Sequence, residues 1–191
     1  MLSGMVMITR SPLAALAAFA LSLTPLAAAH AALPQGARAP DFSAQGALGG
    51  KPFSFNLRQA LKRGPVVLYF YPKAFTQGCT LEAHAFADAT ADFAKAGATV
   101  IGMSNDDVAT LTRFSTEECR NKFAVAAATP AIVRAYDVDL QQGGKSSGLT
   151  SRTSYVIAPD GRITLVHSDL DYRDHVKLTL AAVQAMHRRH G

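Results

Sequence analysis

Residues 66–79 of this chain read Val66-Val67-Leu68-Tyr69-Phe70-Tyr71-Pro72-Lys73-Ala74-Phe75-Thr76-Gln77-Gly78-Cys79. The first six residues form a continuous apolar run, which predicts a strand that is buried on both faces. Pro72 then opens a short loop, and the pattern predicts that a helix begins close to Cys79. The first turn of a helix has backbone N–H groups without partners, and these favour negative charge on a nearby thiol. The stretch therefore predicts a strand, a loop and a helix that together present a reactive cysteine.

The segments on either side of this stretch alternate between strand and helix patterns. Upstream, residues 41–43 and 53–55 read as short strands around a Gly-rich turn, and residues 57–61 read as a helical turn. Downstream, the pattern predicts helices over residues 82–96, 108–118, 130–136 and 173–187, with strands over 99–104, 123–125, 153–157 and 163–166. The helix that ends near residue 118 has its expected N-cap at Asn105-Asp106. Residues 141–149 are polar and rich in Gly and Ser, which predicts a loop.

This order of elements predicts the fold class. Strands that alternate with helices, followed by a hairpin and a last helix, are typical of a single α/β domain. We expect a central mixed β-sheet with helices on both faces.

Residues 1–31 differ in composition from the rest of the chain. They contain Arg10 and no acidic residue, followed by an Ala- and Leu-rich stretch that ends in Ala29-His30-Ala31. This pattern is typical of a secretory signal peptide that is cleaved after Ala31. An uncleaved membrane anchor is the alternative, although the stretch is short for a span and Pro25 interrupts it. We expect an exported, periplasmic protein with a mature domain over residues 32–191 and no stable membrane association after cleavage.

The chain is mildly basic. It has 19 Lys and Arg residues against 14 Asp and Glu residues, a formal net charge of +5. The basic residues are scattered and form no stripe with interleaved aromatic residues, so a nucleic-acid partner is not predicted. We expect a monomer.

Three residues of the loop before Cys79 favour an anionic sulfur there. In a tight loop the Thr76 hydroxyl can reach both the sulfur and a bound oxygen. Pro72 fixes its own φ and can shield a thiolate from water. Gly78 lets the backbone approach its neighbours closely.

The motif Pro72-x-x-x-Thr76-x-x-Cys79 resembles the active-site motif of the peroxiredoxins. The preceding Val-Leu-Tyr-Phe-Tyr-Pro and the following Cys79-Thr80-x-Glu82 resemble the Q-type group, also called bacterioferritin-comigratory proteins. Downstream, Ser-Arg-Thr-Ser-Tyr-Val-Ile at 151–157 and Pro-Asp-Gly at 159–161 resemble the arginine-bearing strand and hairpin of the family. The resemblance extends from about residue 40 to the last helix, and it implies a thioredoxin-like fold.

The resemblance also implies a reaction and a set of site residues. Cys79 would be the peroxidatic nucleophile of a thiol peroxidase that reduces hydrogen peroxide and organic hydroperoxides. Thr76 and Arg152 would hold the thiolate and polarise the O–O bond, in the pocket that Pro72 shields. Cys79 would become a sulfenic acid, which condenses with a thiol to a disulfide. Glu82 either orders Arg152 or is an ordinary acid of the first helical turn, where the helix dipole favours it.

The thiol that resolves the sulfenic acid is harder to assign. Many Q-type proteins place a second cysteine five residues after the first, where this chain has His84. The other cysteine of the chain is Cys119, near the end of a predicted helix, and the resemblance makes it the candidate resolving thiol through an intramolecular disulfide. Three alternatives stay open for Cys119: a buried free thiol, one half of a static structural disulfide, or an idle residue while an external thiol resolves Cys79.

The expected reaction needs no metal, haem or flavin, and no cofactor is predicted. Its electrons would come from an external thiol donor, such as a thioredoxin-like protein, a glutaredoxin or glutathione. A metal site at Cys79, His84 and Cys119 is disfavoured because closely spaced paired cysteines are missing.

Two other functions are weighed against the peroxidase. A thiol–disulfide oxidoreductase of the same fold would need a Cys-x-x-Cys, but Thr80, Leu81 and Glu82 follow Cys79. A non-catalytic thioredoxin-fold binding domain with a structural disulfide would not need Pro72, Thr76, Cys79 and Arg152 together.

Overall fold

The computed structural model describes Met1 and residues 32–190. The predicted signal peptide over residues 1–31 lies outside the described residues, apart from Met1, so its cleavage stays a prediction. Within the described part of the chain, no helix has both the length and the apolar character that crossing a membrane requires.

Residues 32–190 form nine strands, five α-helices and one short 3-10 helix. In chain order they are β1 (Ser43–Leu48), β2 (Lys51–Asn56), α1 (Leu57–Leu61), β3 (Val66–Phe70), α2 (Gln77–Lys95), β4 (Thr99–Ser104), α3 (Val108–Glu117), β5 (Ala124–Ala127), α4 (Pro130–Tyr136), β6 (Asp139–Gln142), β7 (Lys145–Thr150), β8 (Thr153–Ile157), β9 (Ile163–Ser168), the 3-10 helix (Tyr172–Asp174) and α5 (His175–His190).

Seven of these strands form one mixed sheet in the order β2-β1-β5-β4-β3-β8-β9, and β6 pairs with β7. β3, β4 and β5 run parallel, whereas β8 runs antiparallel to β3 with Tyr155 opposite Leu68. Parallel neighbours need crossover connections, and α2 and α3 supply them. The carboxyl ends of β3 and β4 therefore meet at one edge of the sheet, where the loop before Cys79 lies.

The side chains of β3 alternate between two apolar cores, one on each face of the sheet. Val66, Leu68 and Phe70 pack in the core that α1 and α4 cover. Val67 and Tyr69 pack in the core that α2, α3 and α5 cover. All five residues of β3 are buried, as the continuous apolar run predicts. The predicted mixed sheet with helices on both faces is confirmed.

The prediction of a loop over residues 141–149 is wrong, because most of this segment forms the hairpin of β6 and β7. Gly143 and Gly144 connect the two strands with φ angles of 59° and 76°. A two-residue hairpin turn of this kind requires positive φ at both central positions, and Gly adopts it without strain. The Gly-Gly pair marks a turn rather than a long loop.

Two helix starts also differ from their predictions. α2 begins at Gln77, close to Cys79 as the loop predicts but five residues before the helix predicted over residues 82–96, because Thr76 takes the extended N-cap conformation. The N-cap of α3 is Asp107 rather than Asn105-Asp106, and its side chain accepts a hydrogen bond from the Thr110 amide at 2.7 Å. Asp106 does not cap α3, and its side chain instead accepts a hydrogen bond from the Ala74 amide in the loop after β3.

Candidate active site

Cys79 lies in the first turn of α2, two residues after the helix begins at Gln77. β3 ends at Phe70, and the six residues between strand and helix turn the chain back over the end of the sheet. The Cys79 side chain is 2% exposed and packs in the apolar core shared with α3 and α5. The sequence prediction of a cysteine at a strand-to-helix loop is therefore confirmed.

The loop before Cys79 is tied to two neighbouring strands. The Ala74 amide donates to Asp106 Oδ2 at 2.8 Å, and the Ser104 hydroxyl donates to the same oxygen at 2.7 Å. On the other side, the Thr150 hydroxyl donates to the Tyr71 carbonyl at 2.6 Å. These contacts fix the loop that leads into α2. Asp106 was missed as a site residue, although it lies two residues after the end of β4, at the edge where the parallel strands end.

Arg152 joins this site from the turn between β7 and β8. Its Nη2 donates to Cys79 Sγ at 3.5 Å, its Nε donates to the Leu170 carbonyl at 2.9 Å, and its Nη1 donates to Glu82 Oε2. The side chain is 5% exposed. Each edge of the guanidinium is thus held, and the positive charge is fixed beside the sulfur.

Gly78 explains how the guanidinium comes so close to the helix. A Cβ atom at this position would lie 3.2 Å from Arg152 Nη2. The sequence predicts that Gly78 allows a close approach to the backbone. The structure confirms this, and the group that comes close is the Arg152 guanidinium.

Glu82 lies one turn beyond Cys79 and is fully buried. Burial raises the pKa of Glu82 to about 8, although the charge and the hydrogen bond of Arg152 act in the opposite direction. The structure brings Glu82 and Arg152 into contact, and Glu82 accepts a hydrogen bond from the guanidinium.

His175 lies behind Glu82, and sequence reasoning missed it. Its Nε2 donates to the Asp169 carbonyl at 2.9 Å, so Nδ1 accepts from the Ser154 hydroxyl at 2.8 Å in the neutral ring. Nδ1 lies 3.8 Å from Glu82 Oε1, and both side chains are fully buried. Burial lowers the pKa of His175 to about 4, although the hydrogen bond to the Asp169 carbonyl acts in the opposite direction. Nothing in the sequence around His175 distinguishes it from an ordinary residue at the start of a helix.

The structure places Thr76 and Pro72 in the loop that leads to Cys79. Thr76 is the exposed N-cap of α2, and its hydroxyl donates to the Lys73 carbonyl at 2.9 Å. Among the hydrogen bonds of the described residues, none joins this hydroxyl to Cys79 Sγ. Pro72 is half-buried directly after Tyr71. Their predicted roles toward a bound peroxide stay predictions.

Cys119 lies just after α3 and is 0% exposed. Burial raises the pKa of the Cys119 thiol well above its usual range, and the Glu118 carboxylate raises it further. Cys79 and Cys119 belong to the same apolar core, and both are free thiols in this structure. Tyr69 and Tyr71 pack in the same apolar core as both cysteines, and burial raises the pKa of both phenols.

His84 occupies the position where many Q-type proteins have a second cysteine. Its Nε2 lies 2.6 Å from Glu118 Oε2, on the residue directly before Cys119. The contact between His84 and Glu118 joins α2 to the end of α3. At position 84, this chain has an imidazole where many Q-type proteins have a thiol.

The comparison with known families matches residues 35–166 to the AhpC/TSA family. This match covers more than half of the chain. The chain belongs to the AhpC/TSA family. The peroxiredoxin resemblance of the motif at Cys79 is thereby confirmed, and the chain is a thiol peroxidase.

Relatives of this AhpC/TSA chain include peroxiredoxin Bcp of Xanthomonas campestris. The two are 31% identical over 122 residues, which cover 63% of this chain and 76% of the relative. Among solved structures, peroxidoxin BcpB of Mycobacterium tuberculosis is 30% identical with a TM-score of 0.69, covering 80% of this chain and 97% of that one. Peroxiredoxin Q of X. campestris is 29% identical with a TM-score of 0.66, covering 75% and 90%. These similarities confirm the Q-type assignment and the thioredoxin-like fold.

Proposed function

We propose that Cys79 is the nucleophile with which this thiol peroxidase reduces hydrogen peroxide and organic hydroperoxides. The observation that carries the proposal is the 3.5 Å contact between Arg152 Nη2 and the sulfur of a cysteine in the first turn of α2. The guanidinium and the N–H groups of that turn both favour negative charge on the sulfur. The X. campestris bacterioferritin comigratory protein, 29% identical to this chain, has alkyl peroxide reduction activity, which supports organic hydroperoxides as substrates.

In the proposed reaction the Cys79 thiolate attacks one peroxide oxygen. A sulfur–oxygen bond forms while the O–O bond breaks, and the leaving oxygen takes a proton to give water or an alcohol. Cys79 is oxidised to a sulfenic acid. Arg152 is already in place to stabilise the charge that develops on the oxygens, so little reorganisation is needed. The Thr76 hydroxyl, at the mouth of the same loop, is proposed as a second donor to the bound peroxide.

We propose that Cys119 then resolves the sulfenic acid. Its thiol condenses with Cys79 to form an intramolecular disulfide and releases water. The shared apolar core of the two cysteines supports this pairing. Because both thiols are buried, the helix ends that carry them must open locally before the sulfurs can join. An external thiol donor, such as a thioredoxin-like protein, a glutaredoxin or glutathione, then reduces the disulfide.

We further propose that the protein works as a monomer in the periplasm without stable membrane association. The support for export is the composition of residues 1–31, with Arg10, a long Ala- and Leu-rich stretch and the small residues before position 32. The mass of the purified protein from cell fractions tests the cleavage after Ala31. A full-length chain that stays in the membrane fraction would instead support the anchor. Sedimentation of the purified chain tests the monomer.

The proposed catalytic role is tested by peroxide consumption with a thiol donor. The wild type, Cys79→Ser and Cys119→Ser are compared at equal concentration with hydrogen peroxide and with an organic hydroperoxide. Cys79→Ser is expected to be inactive with both substrates, and full activity of this variant would overturn the assignment. Cys119→Ser is expected to stall after one turnover unless an external thiol reacts directly with Cys79. Normal turnover of Cys119→Ser with every donor would exclude Cys119 as the resolving thiol.

A further inference from the structure

The backbone around Cys119 reverses direction in a strained turn. α3 ends at Glu117, and the Cys119 amide donates to the Phe114 carbonyl at 2.9 Å. The next two residues, Arg120 and Asn121, have φ angles of 51° and 60°. The left-handed conformation is unfavourable for side chains other than Gly, and more so for Arg than for Asn. The segment that carries the buried thiol is therefore held in a conformation that the backbone alone does not favour.

Two pairs of polar side chains hold this turn against α2. His84 Nε2 lies 2.6 Å from Glu118 Oε2, and Arg120 Nη1 lies 2.7 Å from Asp88 Oδ1. His84 and Asp88 are four residues apart, so they lie on the same face of α2. The residues directly before and directly after Cys119 are thus both attached to the helix that carries Cys79. We call these two pairs the clasp.

We propose that the clasp controls how fast Cys119 is released to react with the sulfenic acid of Cys79. This inference rests on the proposed role of Cys119. In the controlled step the Cys119 thiol attacks the Cys79 sulfenic sulfur, a disulfide bond forms, the sulfur–oxygen bond breaks, and water leaves with the thiol proton. His84, Asp88, Glu118 and Arg120 touch neither the peroxide nor the reacting sulfurs, so they act as positioning residues.

The physical argument starts from burial. Cys119 is 0% exposed and Cys79 is 2% exposed, so the sulfurs join only after a local opening. The turn from Glu118 to Asn121 lies in the short link between α3 and β5, and moving it away from α2 breaks both side-chain pairs. Opening relieves the backbone strain at Arg120 and Asn121, which favours it, whereas the clasp opposes it.

The size of the effect follows from the exposure of the four side chains. They are 30% and 21% exposed in the His84 pair and 46% and 71% exposed in the Arg120 pair. Polar side-chain pairs at such exposed positions contribute modestly to stability, so loss of either one should speed the opening about two- to fivefold. The double loss should have a larger effect than either single loss.

The clasp also affects the fate of the sulfenic acid. Until Cys119 arrives, a second peroxide can oxidise the sulfenic acid to a sulfinic acid. Slow release of Cys119 lengthens that interval. Loss of the clasp should therefore lower the fraction of sulfinic acid at a given peroxide concentration.

The test uses His84→Ala, which removes the first pair and leaves the Glu118 carboxylate beside Cys119, together with Asp88→Asn and the double variant, all in the reduced protein. Glu117→Gln is the matched control, because Glu117 pairs with Arg113 on its own helix at 3.2 Å and lies directly beside Glu118. Acid quench and mass analysis after mixing with peroxide give separate rates for sulfenic acid formation and for disulfide formation. Hydrogen exchange at the amides of Cys119 and Lys122 reports the opening itself.

The expected result is faster disulfide formation and faster exchange in the clasp variants, by about two- to fivefold for each single change, with an unchanged rate of sulfenic acid formation. Glu117→Gln should match the wild type in all rates. Disulfide formation that is unchanged or slower in the clasp variants, or equally faster in Glu117→Gln, would overturn the clasp alone. If no disulfide between Cys79 and Cys119 forms in the wild type, the proposed resolving role fails and the clasp fails with it.

Discussion

Arg152 Nη2 lies 3.5 Å from Cys79 Sγ, and these two residues are 73 positions apart in the chain. The Leu170 carbonyl and Glu82 hold the other edges of the same guanidinium. The charge is therefore fixed beside the sulfur before a peroxide arrives. Such preorganised donors stabilise developing charge without a cost in reorganisation.

Replacement of Arg152 tests this arrangement. A lysine carries the charge but cannot donate to Cys79, Glu82 and Leu170 together, because its ammonium lacks the planar fork of the guanidinium. We expect Arg152→Lys and Arg152→Met to lower the second-order rate constant with peroxide about 100-fold or more. Arg58→Lys is the matched control, since Arg58 pairs with Asp41 on the surface. Stopped-flow measurement of the first oxidation step gives the rate constant, and a loss below threefold in Arg152→Lys would show that the fork is dispensable.

Gly78→Ala should separate activity from stability. Gly78 lies inside the first turn of α2, where alanine is favoured over glycine by about 1 kcal/mol. Its added Cβ would lie 3.2 Å from Arg152 Nη2, and the guanidinium is too firmly held to move freely. We expect a free energy of unfolding equal to or above that of the wild type, with a rate constant with peroxide about tenfold lower. Denaturant unfolding and stopped-flow kinetics on the same sample check both. An unchanged rate constant would show that Arg152 gives way without consequence.

The buried carboxyl of Glu82 predicts a pH dependence of the rate. Because burial raises its pKa to about 8, the ionised fraction of Glu82 increases as the pH rises from 7 through 8. The carboxylate then competes with the sulfur for the charge of Arg152. We expect Glu82→Gln to stay within about threefold of the wild type at pH 7 and to become the faster protein above pH 8. Parallel pH profiles for the two proteins, measured by stopped flow, would contradict this account.

Glu82 also makes the free energy of unfolding depend on pH. The pKa of Glu82 in the folded protein is above its ordinary value of 4.5, so the folded state binds the proton more tightly. Its contribution to the unfolding free energy is complete below pH 4.5 and is lost as the pH rises through about 8. Urea unfolding from pH 5 to pH 9 should show this loss in the wild type and not in Glu82→Gln. Glu117→Gln, on the surface, is the control.

His175 predicts the opposite dependence, at acid pH. Its pKa in the folded protein is lowered to about 4 from an ordinary value of 6.5. The stability from its neutral ring is present above pH 6.5 and is lost as the pH falls through about 4, up to about 3 kcal/mol in total. His175→Gln keeps a donor for the Asp169 carbonyl but does not titrate. The gap in unfolding free energy between the two proteins should therefore shrink from pH 7 to pH 4, and a constant gap would contradict the prediction. His187→Gln, on an exposed position, is the control.

The sequence predicted the part of the site that lies within one continuous segment. The apolar run before Pro72 predicts a buried strand, and the helical pattern of apolar residues begins after the short loop. This change in the spacing of apolar residues places Cys79 at the start of a helix. Local chemistry is enough for this prediction. Asp106 was within reach of the same reasoning, since it follows a second parallel strand at the same edge of the sheet.

The contacts between distant segments could not be read from local patterns. Arg152 was identified only through the family resemblance. The sequence pattern does not show that Arg152 lies close to Cys79 in the folded chain. His175 reaches Glu82 because α5 packs beside α2, which depends on the packed fold. The clasp likewise needs the end of α3 to lie against α2, and neither His84 nor Asp88 has a sequence signal for it.

The most direct measurement of the central claim identifies the first sulfur that peroxide oxidises. Reduced Cys119→Ser is mixed with one equivalent of peroxide in the presence of a sulfenic-acid-specific reagent and quenched rapidly, and the labelled peptide is identified by mass spectrometry. We expect the label on Cys79, with a rate that falls about 100-fold when Arg152→Met is added. Consumption of the peroxide with Cys79 left unlabelled, or an equally fast reaction in Cys79→Ser, would contradict the account.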